Sequence, residues 1–168
     1  MPKSLADGHI KVAVLTTAPA NPAAPTAAEL AAGINAACAI LASDFTLGAT
    51  DSDKLQEKAL CDLNNVNTLG ASNYSAGMTI FRFWTAGSLG TADTAADVLF
   101  TAAKVKGTTL WIYPRKTGKL ETAAWAATDE LYLGAEVITD LPQDQSGGFI
   151  KFRVPLEVQK AYPFIAVA

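Results

Sequence analysis

The residues able to do chemistry in this chain are few and poorly spaced for it. Its one histidine, His9, opens a strand-like run. A Ser-His-Asp triad or an imidazole metal site would have to be built around that single ring. A lone His at a strand start reads as structural or solvent-facing. Cys38 and Cys61 lack CxxC spacing and have no His or Cys partner set for zinc. They read as two buried thiols of a reducing compartment. Carboxylates pair at Asp51/Asp53 and Asp129/Glu130. Glycoside hydrolysis uses two such groups across a sugar, but these lie at turn and strand-start positions, where Asp is favoured for local reasons. The run KVAVLTTAPAN looks like a nucleotide-binding first strand until prolines follow in place of a Gly-rich phosphate turn. Asp44–Asp53 with Gly48 lacks the ligand order of a calcium loop. The Asn set Asn64, Asn65, Asn67 and Asn73 can bond a sugar or a partner chain, and is equally at ease in turns. No catalytic residue, cofactor or metal site is expected, and the chain reads as a non-enzyme.

The elements that would position these residues are mostly strands. HIKVAVLTT (His9 to Thr17) reads as a strand, followed by a proline-rich loop. Thr26 and Glu29 have capping-box spacing and Gly33 is a stop, giving a helix of no more than two turns. The Ala-rich middle of Ile34–Leu47 suits helix as well as strand; read as strand, it is expected to pair with Lys54–Leu63 as a long hairpin with its tip near Ala49–Thr50. That would set Cys38 roughly opposite Cys61, with arms of about 40 Å. Asn64–Gly77 reads as a polar loop and Gly77–Thr85 as a core strand with Arg82 set among apolar residues. Asp93–Lys106 is the expected principal helix, capped by Thr94 and Asp97, with Val98, Ala102 and Val105 on its buried face and Leu99 beside them. Thr108–Tyr113 is a strand expected to stop at Pro114. Lys116–Asp129 is a loop, and Glu130–Thr139 and Gly148–Val158 are the last strands, with Pro155 marking an edge or bend. Phe81, Phe83, Trp84, Trp111 and Tyr113 read as core, and Trp125 as a cover over the core or a neighbour. The fold class is mainly β with one α-helix (α+β): an antiparallel sandwich or partial barrel with a flanking helix and a long hairpin arm.

Composition narrows the function further. The chain has 168 residues, 50% hydrophobic and only 17% charged, with a net charge of −3. That length suits one domain, residues 1–168, with flexible arms at Met1–Gly8 and Tyr162–Ala168. A surface poor in charge suits a subunit covered by neighbours. Basic residues cluster only at Lys104–Lys106 and Arg115–Lys119, too sparsely for tight nucleic-acid binding. Asp7, His9 and Lys11 interrupt any signal-peptide core, and no apolar run is long enough to span a bilayer. Synthesis in a cytoplasm, with no membrane insertion, is expected.

Four stretches together carry a family resemblance: ADGHIKVAVLTTAPANPAAPTAAELAAGI (Ala6 to Ile34), EKALCDLNNVNTLGASNY (Glu57 to Tyr74), KVKGTTLWIYPR (Lys104 to Arg115) and FIKFRVPLEVQ (Phe149 to Gln159). In these the chain resembles the major tail tube proteins of long-tailed bacteriophages, particularly those of actinobacterial hosts. The resemblance implies a β-rich subunit with a flanking helix, six to a ring, with rings stacked into a virion tail tube through which DNA passes. It implies as partners further copies of the chain, tape-measure, terminator and distal tail proteins, and double-stranded DNA that slides without tight binding. Six copies at −3 each would carry −18 per ring. Lumen-facing candidates are Asp44, Asp51, Asp53, Glu57 and Asp62, with Lys54 and Lys58 pairing nearby. Subunit-contact candidates are Asn64, Asn65, Asn67, Asn73 and Tyr74. The rival readings are another virion structural protein, such as a tail terminator or head decoration protein, and a small carbohydrate-binding sandwich using Trp125 and the Asn-rich segment.

Overall fold

The structure is a computed structural model and describes residues 6–61, 63–64 and 66–168. In chain order the elements are β1 (Ile10–Leu15), α1 (Ala27–Ala32), β2 (Ile34–Asn35), β3 (Thr46–Thr50), β4 (Lys54–Glu57), β5 (Val66–Leu69), β6 (Asn73–Phe81), β7 (Trp84–Thr85) and β8 (Ser88–Ala92). Then come α2 (Val98–Ala103), β9 (Thr109–Lys116), β10 (Glu130–Thr139), β11 (Gln143–Gln145) and β12 (Lys151–Ala166). One antiparallel sheet in the order β2-β1-β9-β10-β12-β6-β3 carries the fold, with β11 beside β12. Two further ribbons, β4-β5 and β7-β8, stand apart from it. The mainly β, antiparallel expectation holds. The main sheet is open rather than a closed barrel, and two short helices flank it instead of one.

Strand alternation builds a core on each face. Val12 and Val14 of β1 join Leu110, Ile112, Val137, Met78, Ile80, Val154 and Leu156 beneath Leu99, Phe100 and Ala103 of α2. Ala13 and Leu15 face the other way and meet Leu30 of α1, Tyr113, Trp125, Leu131 and Val167. α1 forms where the capping box foretells it. The Thr26 hydroxyl accepts the Glu29 N–H, and the Glu29 carboxylate accepts the Thr26 N–H. α1 ends as the chain turns extended at Gly33 (φ −72°, ψ 174°), a position where a Cβ would lie 2.4 Å from Leu15 Cδ2.

Other expectations need correction. The Asp93 carboxylate accepts the Ala95 and Ala96 N–H groups and holds a turn, so α2 starts only at Val98. The Asp97 carboxylate does not cap α2; it accepts from the Phe83 N–H and the Arg82 guanidinium. The buried face of α2 is therefore Leu99, Phe100 and Ala103, while Val98 and Val105 are exposed. Lys104 and Lys106 fall beyond α2, and Gly107 (φ +86°) makes the turn into β9.

β9 continues through Pro114 to Lys116. Its ladder with β10 ends at Ile112, so at Pro114 the strand pairs only with β1. Pro155 sits inside β12, in the gap between the β11 ladder ending at Arg153 and the β10 ladder starting at Leu156. A missing N–H is tolerated there because neither ladder pairs Pro155; on that side its carbonyl is the group used, accepting the Asp140 N–H. The Ala-rich stretch after Ile34 forms 3₁₀ turns at Ala37–Ala39 and Ala42–Asp44 instead of a long strand. Cys38 and Cys61 are both exposed thiols, not buried ones. Tyr162–Ala168 does not hang free. β12 pairs with β10 to Ala166, Val167 is buried and exchanges bonds with Thr128 and Asp129, and Ala168 bonds Pro25.

Candidate assembly surface

A long hairpin is present, but it folds about a different point from the one the sequence suggests. β3 pairs with β6 from Thr46 opposite Gly77 to Thr50 opposite Asn73. The ladder resumes beyond a short interruption, with Asp53 N–H to Ala71 O and Gly70 N–H to Asp53 O. It continues as β4 on β5, from Lys54 opposite Leu69 to Glu57 opposite Val66. The chain therefore turns back between Glu57 and Val66, not at Ala49–Thr50. The segment read as a polar loop supplies the returning strand, and Cys38 lies off the hairpin altogether. Asn73 fixes the interruption, since its amide donates to Asp51 O at 3.1 Å and to Asp53 Oδ1 at 2.8 Å.

Beyond Asn73 the hairpin becomes an arm with no core of its own. Leu55, Leu60, Leu63, Val66 and Leu69 are all exposed, Leu63 at 94%. Register places Leu55 and Val66 on one face and Leu69 beside Lys54 on the other, so neither face is a uniform apolar stripe. A two-stranded ribbon of this kind is marginal in water without something to pack on.

A second apolar surface lies at the far end of the sheet. Phe81, the last residue of β6, meets Phe149 edge-to-face with ring centroids 6.0 Å apart. Phe149 is 80% exposed, Ile150 beside it is exposed, and Leu89 is exposed on the β7-β8 ribbon that leaves the same end. The outer edge of β3 also lacks the usual protection. Its sequence TLGAT holds no charge and no proline, so its free backbone groups can accept another strand.

The candidate residues divide between these features. Asp44 lies off the arm, where its carboxylate accepts from the Thr79 hydroxyl and from Arg153. The Thr79 bond, with Arg153 behind it, holds its pKa below the usual carboxylate range. Asp51 and Asp53 sit at the arm's base and Glu57 near its tip, all exposed. Lys54 faces Leu69 across the ribbon rather than an acid. Asn64 is exposed in the tip turn, Asn67 stands opposite Gln56, and Tyr74 is half-buried opposite Ala49. Asp62 and Asn65 lie outside the described residues. The exposed leucines and the Phe81–Phe149 end were not singled out from sequence, because their residue types alone read as core.

The opposite corner of the sheet is built the other way. Arg115 is fully buried and donates to Asp129 at 2.9 Å and to the carbonyls of Leu120, Ala123 and Ala124. Its guanidinium lies 5.1 Å from the Trp125 ring centroid, so Trp125 covers the chain's own core. Lys119 also bonds Asp129, and Lys11 donates to Glu121 O and Ala123 O. Burial opposes the Asp129 charge, yet Lys119, the Ala126 N–H and Arg115 outweigh it and depress its pKa. Arg82 is treated similarly: paired with Asp97 at 3.0 Å, it packs 4.0 Å from the Phe100 ring centroid. Both ion pairs hold loops in place and present no free group to a substrate.

An open groove of about 370 Å³ runs between residues 14–19 and α1. Glu29 lines it, but its carboxylate is held by the Ala20 N–H and the Thr26 cap, which lower its pKa. Among the described residues no group of three or more His, Cys, Asp or Glu side chains could hold a metal ion, and no helix is long and apolar enough to cross a membrane. A family model described as phage tail tube protein matches residues 1–168. No curated protein and no solved structure gives a match.

Proposed function

The chain belongs to the phage tail tube protein family, and on that premise we propose that six copies close into a ring, that rings stack into the tail tube, and that DNA leaves the virion through the bore. The family makes it a structural protein of the phage tail. The observation that best supports the finer reading is the arm, whose five large aliphatic side chains are all more than half exposed. A repeating assembly gives each arm a neighbour. The open edge of β3 offers a second contact, because a strand added there removes a free edge, and head-to-tail contacts that close make rings.

In this reading Asp51, Asp53 and Glu57, with Asp62 of the same segment, contribute to a lumen that repels phosphate. Asp44 contributes less, being neutralised by Arg153. Carboxylates lining the bore make no attractive phosphate contacts, so the DNA slides rather than being held. Asn64, Asn67 and Tyr74 meet neighbouring subunits, together with Asn65, while Asn73 is already engaged within its own chain. Tape-measure, terminator and distal tail proteins are the other partners, and a long-tailed phage of an actinobacterium is the proposed source. Electron microscopy of the purified protein in negative stain tests the reading. Hollow tubes are expected; dispersed monomers at every protein and salt concentration would contradict it.

A further inference from the structure

The arm and the Phe81–Phe149 end stand at opposite ends of one strand. The arm leaves the sheet beside Asn73, the first residue of β6, and the aromatic pair sits at Phe81, the last. At about 3.3 Å per residue, nine residues separate the two surfaces by roughly 26 Å. The geometry points to a head-to-tail contact in which the arm tip of one copy, Leu60 and Leu63 foremost, seats on Phe149 and Ile150 of a second copy. The inference rests on the stacked-tube reading above and names the surface that receives the arm.

Two properties single out a second copy as the occupant. The surfaces are unlike each other, aliphatic on the arm and aromatic-rich at the far end, so they match a translated copy rather than a two-fold mate. Their size also fits repetition. From the area that Leu- and Phe-sized side chains ordinarily bury, each surface offers on the order of 300–400 Å². A stable pair of proteins buries about 800 Å² per partner. One contact is therefore too small to hold a dimer, whereas contacts made in parallel around a ring reinforce one another.

The native thiol of Cys61 lies between Leu60 and Leu63 and is exposed, so it reports on the contact directly. With Cys38→Ser removing the other thiol, Phe149→Cys or Ile150→Cys is introduced in the full chain, tubes are assembled, and a short bis-maleimide is added. The expected product is a ladder of covalent dimers, trimers and longer chains that is absent from Cys38→Ser alone. Tubes that form normally but yield monomers, or dimers only, overturn the inference and leave the tube reading standing. A wild-type chain that never makes tubes sinks the tube reading, and the inference with it. If Phe149→Cys folds with an unchanged melting profile but no longer assembles, the patch is needed for stacking, and Ile150→Cys carries the cross-link.

Discussion

Two excursions from the main sheet, residues 117–129 and residues 51–72, are both long and are opposite in how they are held. The first wraps a buried guanidinium. Arg115 binds three of its carbonyls and Asp129, Trp125 lies over the ion pair, and Val167 closes the corner. The second is pinned at its base by Asn73 and then leaves its large aliphatic side chains mostly exposed. The first excursion serves the fold; in the proposed tube the second serves contacts with neighbouring copies. Low charge and exposed leucines are poor economy for a monomer, but they suit a surface that is covered on assembly.

That contrast yields a graded set of expectations for stability. The largest is at the clasp. Asp129→Ala leaves Arg115 buried and uncompensated, which costs about 3–5 kcal/mol and, for a chain of this size, roughly 10 °C of melting temperature. A loss under about 1 kcal/mol in a denaturant titration would erase the distinction between the two excursions. The same residue sets the acid limb of the stability curve. Its folded pKa is depressed, so its contribution is complete above the unfolded value, near 3.9, and is lost as pH falls through the folded one. Melting temperatures from pH 6 to pH 2 should fall less steeply for Asp129→Asn than for wild type.

Gly134→Ala comes next. Its new Cβ would lie 2.4 Å from the Tyr113 ring, which overlies this glycine, and overpacking of this kind costs about 1–3 kcal/mol. Thr26→Ala removes the cap of α1 and costs about 1 kcal/mol by the same titration. The smallest effect belongs to the arm. Leu60→Ser with Leu63→Ser should change monomer stability by no more than about 0.5 kcal/mol while assembly is lost. An arm variant that melts several degrees lower would show that the arm packs on its own chain after all.

Sequence was most legible where local chemistry decides the structure. Thr26 and Glu29 announce α1 without help from the rest of the chain, and the bounds of β10 follow from its own composition. It was least legible where a distant partner decides. The rotation of α2 depends on Asp97 turning to Arg82, and six residues are too few for periodicity to correct a wrong start. Pro155 is harmless only because two ladders leave a gap at its position. A long hairpin is expected from sequence, but on Ile34–Leu63; the structure builds it on Thr46–Gly77, with a different returning strand and a different turn. Ala49–Thr50 reads as a tip, and Asn73, which makes the stretch just after it a hinge, is 20 residues from Asp53. At the assembly surface the Asn residues drew notice for their polarity, while the leucines beside them were hidden by a type that ordinarily goes to a core.

The most direct test of the account is electron microscopy of Leu60→Ser/Leu63→Ser beside the intact chain, at matched concentration and with melting profiles already shown to agree. The account predicts hollow tubes from the intact chain and only single subunits or unstacked rings from the variant. Tubes of normal length from the variant would contradict it.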